Sequence, residues 1–362
     1  TNQLNNMDKY GARERHYAEA SMHPEYYLGR IVSQSKDIYK VATEKGEYMA
    51  EISGKFRHEA NCIADYPVVG DFVMLDRKSD EKGNLIVHKV LTRTSSFERS
   101  AVGIKNQAQV IAANIDIVFI CMSLNKDYNL SRLERYLSLS WNSRAETVIV
   151  LTKSDLCDNL PKVLDEISSV ALGTEVLVTT SKSEDSCKQI FKYLKKGCTA
   201  SFIGSSGVGK STLINCLAGK EIMSTSGLRN DDKGRHTTTR RELVILPQGG
   251  IVIDTPGMRE LGLESANLSK SFEDIEALAQ NCRFSNCSHS SEPGCAVLEA
   301  IGDGRLDARR FENYKKLKKE AKYEGLDSKQ IEAAKLDEMF GELGGMKKAR
   351  AYIRQNDKRR KR

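Results

Sequence analysis

A glycine-rich segment at residues 204–211 constrains the fold of this chain more than any other feature. It reads Gly-Ser-Ser-Gly-Val-Gly-Lys-Ser and fits the pattern G-x-x-x-x-G-K-[ST]. The apolar run 200–203 before it predicts a buried strand, and the apolar spacing over 212–217 predicts a helix that Gly219 ends. Glycines in such a turn let backbone N–H groups converge on phosphate oxygens at the start of the helix. The segment therefore predicts a phosphate-binding loop in an α/β fold.

Two side chains of this loop have expected roles of their own. Lys210 is expected to reach the β- and γ-phosphates of a nucleotide, and Ser211 to hold Mg²⁺. The alternative is a glycine-rich turn that binds nothing, which the complete motif between a strand and a helix disfavours. The residues expected to contact the nucleotide here are Gly204, Ser205, Ser206, Gly207, Val208, Gly209, Lys210, Ser211 and Thr212.

Strands and helices alternate in the region before the loop. Apolar runs at 115–121, 147–151 and 175–178 predict buried strands, and helices are expected at 130–140 and 161–170. This alternation predicts a mostly parallel, doubly wound sheet. Ligands of such sheets bind at the carboxyl ends of the strands, where the phosphate loop also lies.

Two short motifs follow strands of this predicted sheet. The segment 152–155 resembles the N-K-x-D motif of GTPases, with Thr in place of the usual Asn, and 180–182 resembles their S-A-K motif. A carboxylate at Asp155 accepts two hydrogen bonds from guanine, whereas adenine offers no such donor pair. Either motif alone is also compatible with an ordinary strand-to-helix loop. The residues expected at the base are Thr152, Lys153, Ser154, Asp155, Thr180, Ser181 and Lys182.

A segment rich in Gly, Lys and Thr at 227–239 predicts a switch loop. Either Thr237 or Thr238 is expected to contact Mg²⁺ and the γ-phosphate. A hairpin over 243–253 then ends in a D-x-x-G motif, in which Asp254 is expected to hold Mg²⁺ through water and the Gly257 N–H to meet the γ-phosphate.

The attacking water needs a hydrogen-bonding partner, and the residue after the D-x-x-G motif does not supply one. Many GTPases place Gln directly after D-x-x-G, but Met258 stands there in this chain. His236 is the best candidate, because an imidazole near neutral pH can orient a water or accept its proton. The alternative is a histidine that contacts RNA or solvent.

The order of these motifs is informative. Asp155 precedes Lys210 by 55 residues, whereas ordinary GTPases have the phosphate loop first. One site can form from both motifs only if the sheet is entered at a different point. The chain is therefore expected to be circularly permuted.

Segments on either side predict two further domains. Five short strands within 26–91, separated by turn signals, predict an OB-fold barrel. Beyond the switches, three cysteines and one histidine in a C-x4-C-x-H-x5-C pattern predict a closed structural zinc site, although buried unligated cysteines are the alternative. Its ligands are expected to be Cys282, Cys287, His289 and Cys295. The remaining helical segments are highly charged.

Composition limits what the chain can be. No apolar stretch approaches the length of a membrane span, and the N-terminus has no secretory pattern. The nine cysteines are mostly scattered, which favours a reducing cytoplasm over a disulfide framework. Residues 345–362 hold nine Lys or Arg and one Asp, so this tail has a charge of +8. The whole chain has a net charge of +7, so the remaining residues together carry about −1. Such a tail is suited to nucleic acid but is also compatible with a solubilising end.

The domains are expected at 1–25 (an extension), 26–95 (OB-fold), 96–265 (permuted GTPase), 266–340 (helical zinc domain) and 341–362 (basic tail).

Taken together, the barrel, the permuted order, the G-R-H-T-T-T segment and the Cys₃His pattern resemble the RsgA family of bacterial GTPases. The resemblance covers about residues 26–320. It implies a cytoplasmic, monomeric GTPase that binds GTP/GDP, Mg²⁺ and one Zn²⁺. It further implies late maturation of the small ribosomal subunit, with the subunit and its rRNA as partners and as stimulators of hydrolysis. From the motifs alone, a different P-loop enzyme, such as an ATPase or kinase, and a nucleic-acid-binding scaffold with a degenerate site remain alternatives.

Overall fold

The computed structural model describes residues 6–35, 37–81, 83–100, 108–125, 127–180, 185–205, 207–221, 241–254, 272–285 and 287–322.

Five strands near the N-terminus form a barrel in the order β1-β2-β3-β5-β4, and β4 pairs again with β1. The parallel pairing of β3 with β5 is the one parallel contact among its strand pairings. The strands are β1 (Tyr27–Ser35), β2 (Ile38–Ala42), β3 (Glu47–Ile52), β4 (Phe72–Leu75) and β5 (Leu85–Val90). The predicted OB-like barrel is confirmed.

A second sheet follows in the chain. Its order is β10-β9-β8-β11-β13-β12, and its strands are parallel except for β12, which runs antiparallel to β13. The strands are β8 (Ile117–Ser123), β9 (Glu146–Thr152), β10 (Glu175–Val178), β11 (Thr199–Ile203), β12 (Arg241–Ile245) and β13 (Ile251–Asp254). Their apolar runs are buried on both faces because helices cover the sheet, as the alternating pattern predicts.

The sequence of residues 97–110 predicts a linker, but this segment instead contributes to a two-stranded antiparallel ribbon of β6 (Ser96–Ser100) and β7 (Ala108–Ala113). Reading it as a simple linker was wrong, because the ribbon packs on helix α3 and buries Phe97 and Ile111. Such tertiary contacts are not visible in the local sequence.

The helices surround these sheets. They are α1 (Glu14–Ser21), α2 (Gly54–Glu59), α3 (Leu130–Ser143), α4 (Leu160–Val170), α5 (Asp185–Phe191), α6 (Lys210–Ala218), α7 (Glu273–Ala279), α8 (Ala296–Gly302) and α9 (Ala308–Lys322). Short 3-10 turns occur at Asn6–Tyr10, Ile63–Asp65 and Ser154–Leu156. Among the described residues, none of the helices combines the length and the apolar content needed to cross a bilayer.

The two sheets are joined into one. Ser33 and Gln34 of β1 pair with Glu242 and Arg241 of β12, so the barrel extends the edge of the second sheet. The buried guanidinium of Arg30 lies at the same junction and donates hydrogen bonds to the backbone carbonyls of Tyr10, Gly70 and Asn114 and to the Thr199 hydroxyl. The N-terminal extension, the barrel and the second sheet therefore meet on a single side chain.

The N-terminal extension is more ordered than its polar sequence suggests. Met7, Tyr10 and His16 are buried, and the His16 ring stacks on Phe72 with 3.8 Å between ring centroids. The Arg13 guanidinium forms an ion pair with Asp116 at 2.7 Å. The extension thus fills the junction between the two sheets.

Helices α7, α8 and α9 form a small unit with a core of its own, which includes Phe272 and Phe311. Glu134 of α3 is 4% exposed and accepts hydrogen bonds from Arg310 and Asn313 of α9. Burial raises the pKa of Glu134, while the adjacent Arg310 cation opposes this shift. The unit is therefore attached to the second sheet through a buried charged contact.

Candidate functional site

The glycine-rich loop connects β11 to α6, as its sequence predicts. Gly204, Gly207 and Gly209 all have positive φ, at 147°, 73° and 104°. A Cβ added at Gly204 would lie 2.4 Å from the Cys121 carbonyl oxygen on β8, so this position excludes any side chain. Burial behind the loop raises the pKa of the Cys121 thiol to about 12, which keeps that group neutral. The loop thus has the tight curvature that a phosphate cradle requires.

Lys210 is the first residue of α6 and is 8% exposed. Its ammonium donates hydrogen bonds to the carbonyls of Gly204 at 2.7 Å and Ser205 at 2.6 Å. These bonds hold the positive charge against the loop at the N-terminal end of the helix. An anion entering the loop would meet both this charge and the positive end of the α6 helix dipole.

The residues of the predicted base motif are hydrogen-bonded to the phosphate loop. Thr152 ends β9, and its hydroxyl donates to the Val208 carbonyl at 2.6 Å. Lys153 has a left-handed backbone, with φ of 55°, and its ammonium donates to the Gly207 carbonyl at 2.9 Å. Thr152 therefore ties the end of β9 directly to the loop, although the position departs from the usual Asn.

The two predicted base motifs also meet each other. Ser154 and Asp155 lie in a 3-10 turn after β9, and the Thr180 hydroxyl donates to the Asp155 carboxylate at 2.7 Å. Thr180 follows β10, which pairs with β9 in parallel. The carboxyl ends of the two strands thus place Asp155 and Thr180 at one edge of the sheet.

A cavity of about 160 Å³ lies between these motifs and helix α6. Thr152, Lys153, Thr180 and Thr212 contribute to its wall. Two cysteines, Cys187 of α5 and Cys216 of α6, also line it and are joined by a disulfide. The scattered cysteines favour a reducing compartment over a disulfide framework, but in the described part of the chain this one pair is bonded. The two residues are 29 positions apart and meet only because α5 packs on α6, so no sequence pattern reveals the bond.

Asp254 is the last residue of β13, which runs parallel to β11. Its carboxylate therefore lies at the same edge of the sheet as the phosphate loop and Ser211. Both side chains carry the hard oxygen ligands that Mg²⁺ prefers. The other predicted residues lie outside the described part of the chain, and their roles stay predictions: Ser181, Lys182, Ser206, His236, Thr237, Thr238, Gly257 and Met258.

The four predicted zinc ligands come together. Their ligand atoms all lie within 4.8 Å of one another. The His289 Nδ1 atom is 3.5 Å from the Cys282 sulfur and 3.4 Å from the Cys295 sulfur, and these two sulfurs are 3.9 Å apart. Tetrahedral ligands at usual Zn–S and Zn–N bond lengths lie roughly 3.5–3.8 Å apart. The donor set therefore fits a closed Zn²⁺ site that involves Cys287 as well.

A second concave surface lies on the barrel and was not predicted from the sequence. It encloses about 680 Å³ and is lined by Lys55, Phe56 and Lys89, together with Tyr26 stacked on His88 at 4.5 Å. Acidic residues, among them Glu59, also border it. Its aromatic and basic residues come from separate elements, so only the folded barrel brings them together.

Comparisons with known proteins agree with this architecture. A family model described as the RsgA GTPase matches residues 90–264, and one described as the RsgA N-terminal domain matches residues 28–85. A model of ABC transporters also matches residues 187–353. That segment includes the phosphate loop, which is common to P-loop nucleotidases.

Relatives match over most of the chain. The protein "Small ribosomal subunit biogenesis GTPase RsgA 2" of Lactiplantibacillus plantarum is 44% identical over 346 residues, which is 95% of this chain and 97% of the relative. The protein "Small ribosomal subunit biogenesis GTPase RsgA 1" of Listeria innocua is 43% identical over 320 residues, which is 88% of this chain and 90% of the relative.

Solved structures confirm the permuted fold. YjeQ from Thermotoga maritima aligns with a TM-score of 0.58 and 27% identity, over 82% of this chain and 98% of YjeQ. YloQ, described as a circularly permuted GTPase, shares the fold with a TM-score of 0.55 over 86% of this chain and 98% of YloQ, at 24% identity. Sequence identity over nearly the full length, the family models and the fold lead to one conclusion: this chain belongs to the RsgA GTPase family.

Proposed function

We propose that this protein hydrolyses GTP to GDP and phosphate during late maturation of the small ribosomal subunit, and that the subunit stimulates this reaction. One observation carries the nucleotide part of the proposal. The base motif and the phosphate loop are hydrogen-bonded to each other through Thr152 and Lys153, in a family of GTPases. The ribosomal part is supported by the names of relatives that are more than 40% identical.

The nucleotide would lie along the carboxyl edge of the second sheet. The backbone N–H groups of the loop and Lys210 would bind the phosphates. The Asp155 carboxylate would read the guanine N–H groups in place of its bond from Thr180, and the Lys153 stem would lie along the base. The hydrogen bonds that join Thr152 and Lys153 to the phosphate loop and Thr180 to Asp155 support this assignment, which predicts a preference for guanine over adenine.

Mg²⁺ fits the oxygen ligands at this edge. The Ser211 hydroxyl and the Asp254 carboxylate would hold the ion, the latter through water. When bound, Mg²⁺ neutralises charge on the phosphate oxygens. We assign the remaining contact to Thr237 or Thr238 and the positioning of the attacking water to His236, on the sequence grounds given above.

The flanking domains would bind the ribosomal subunit. The concave surface on the barrel, here called the barrel groove, combines lysines with aromatic rings. This combination suits stacking on exposed RNA bases near a phosphate backbone. The zinc-dependent helical unit would present a second surface, and the basic tail would add nonspecific affinity for RNA. One Zn²⁺ per chain would hold the helical unit in shape. We further propose that the protein acts as a monomer in the cytoplasm.

The test is GTP hydrolysis by the purified full-length protein with and without small ribosomal subunits. We expect slow turnover alone and a large increase with small subunits, but no increase with large subunits. Lys210→Ala is the matched control, because it removes the phosphate-binding charge and leaves the flanking domains intact. A rate unaffected by small subunits would contradict the proposed stimulation.

Nucleotide competition separates the alternatives. In an ATPase or kinase, ATP would displace bound fluorescent GDP as readily as GTP does. Asp155 predicts the opposite result, because its carboxylate pairs with guanine and not with adenine. A scaffold with a degenerate site would bind RNA but would hydrolyse no GTP in either condition.

A further inference from the structure

The disulfide between Cys187 and Cys216 connects the two walls of the candidate base pocket. Cys187 is nearly buried on α5, seven positions after Thr180, whereas Cys216 lies on the exposed face of α6, one helical turn after Thr212. Both cysteines line the cavity that Thr152 and Lys153 also border. The bond therefore links the helix of the phosphate loop to the element that follows the second base motif.

We propose that Cys187 and Cys216 form a reversible thiol–disulfide pair, and that its oxidation by peroxide weakens guanine nucleotide binding. This inference rests on the proposed GTP site. Disulfides in reducing compartments are usually transient and either catalytic or redox-sensing. Maturing ribosomal subunits are found in such a compartment, so a purely structural bond at this position would not persist there.

The chemistry balances with hydrogen peroxide as the oxidant. The accessible Cys216 thiolate attacks one peroxide oxygen, the O–O bond breaks, and the hydroxide that leaves takes a proton to become water. The Cys187 thiolate then attacks the sulfenic acid sulfur and expels a second hydroxide, which is protonated to water. Two thiols thus lose two protons and two electrons, and one peroxide becomes two waters. An excess of a small dithiol reverses the reaction by thiol–disulfide exchange.

The effect on nucleotide binding follows from the hydrogen bond between Thr180 and Asp155. In the disulfide-linked structure the Thr180 hydroxyl occupies the Asp155 carboxylate at 2.7 Å. A guanine base must displace this donor and enter the cavity between the base motifs and α6. The Cys187–Cys216 bond joins the α5 and α6 walls of that cavity and restrains their separation. If guanine cannot replace the Thr180 donor, the nucleotide loses one hydrogen bond to the charged Asp155 carboxylate. The loss of one such bond weakens nucleotide binding about tenfold.

The experiment uses the full-length, zinc-loaded protein, either reduced with a dithiol or treated with hydrogen peroxide. Peptide mapping by mass spectrometry detects the Cys187–Cys216 linkage, and titration of a fluorescent GDP analogue gives the affinity. We expect the linked peptide and about tenfold weaker GDP binding after peroxide, with both reversed by dithiothreitol.

Three variants separate this effect from other oxidation. Cys187→Ser and Cys216→Ser should each keep the same GDP affinity before and after peroxide. Cys62→Ser on the barrel should respond like the unchanged protein. Zinc content measured in parallel reports damage to the metal site, which all variants share.

Two results would overturn the proposal. One is the absence of the linked peptide after peroxide. The other is unchanged GDP affinity in protein that carries the bond. Failure of the reduced protein to bind GDP would instead refute the nucleotide site itself, together with any redox effect on it.

Discussion

Replacing Arg30 with Met should lower the free energy of unfolding and weaken the coupling between the barrel and the nucleotide domain. The guanidinium is fully buried and donates to three backbone carbonyls, those of Tyr10, Gly70 and Asn114, and to the Thr199 hydroxyl. It also lies 4.7 Å from the centre of the Phe72 ring. Methionine keeps most of the aliphatic stem but supplies no donor, so the change isolates the polar contacts of this junction.

The magnitude follows from opposing terms. Leaving a buried carbonyl without its donor costs about 1 kcal/mol or more, and removing one member of a buried charged network typically costs about 3–5 kcal/mol. Burial of the charge works in the other direction, because it lowers the pKa of Arg30 to about 10, and removing the charge relieves that cost. We therefore expect the free energy of unfolding to fall by about 3 kcal/mol, at the lower end of this range.

Urea unfolding followed by two probes measures this loss. The single tryptophan, Trp141 in α3, reports on the nucleotide domain, and far-UV circular dichroism reports on all secondary structure. We expect the two transitions to separate in the variant. Arg13→Met is the matched control, because its ion pair with Asp116 is partly exposed and should contribute less than about 1 kcal/mol. If Arg30→Met is no more destabilising than Arg13→Met, then the Arg30 network does not hold the junction together.

Four further predictions concern the sites and the fold. Asp155→Asn should weaken GTP binding by about tenfold or more, because a charged acceptor is lost, and should shift preference toward XTP; unchanged discrimination in competition titrations would count against Asp155 as the base reader. One zinc per chain should be found by elemental analysis, and Cys295→Ser should abolish it while GDP binding by the nucleotide domain persists; metal-free wild-type protein purified without chelators would remove the zinc assignment. Burial lowers the pKa of His16 to about 3, so the unfolded state takes up a proton near pH 6.5 that the folded state refuses. The stability contributed by neutral His16 is present above that pH and is lost below it. We expect the free energy of unfolding to fall by about 2 kcal/mol between pH 7 and pH 5. In denaturation measurements, His16→Phe should remove this pH dependence of the free energy of unfolding. His236→Ala should bind GTP and small subunits normally but lose stimulated hydrolysis; near-normal stimulated turnover would assign the attacking water to another group.

The parts of the fold that the sequence predicts are those with local signals. The barrel strands follow from short apolar runs between turn residues, and the phosphate loop and the metal centre follow from fixed spacings of Gly, Lys, Cys and His. Each of these signals lies within a few tens of residues, where turn chemistry and ligand geometry restrict the choice of residue.

The parts that were missed depend on contacts between distant positions. Arg30 reaches Asn114 and Thr199 across 84 and 169 residues, and nothing near Arg30 in the chain indicates that its charge is buried. Thr152 weakens the match to the base motif, yet in the structure its hydroxyl bonds the phosphate loop. The Cys187–Cys216 bond, the β6–β7 ribbon and the barrel groove depend in the same way on which elements pack together.

The pairing of β1 with β12 has a consequence for any attempt to study the nucleotide domain alone. A protein cut at the start of the RsgA GTPase match, near residue 90, would lose β1 and with it the strand that pairs with Arg241 and Glu242 of β12. Exposed strand edges of this kind pair with the edges of other molecules and lead to aggregation. The barrel therefore also acts as a cap on the sheet that follows it, and the two are best expressed together.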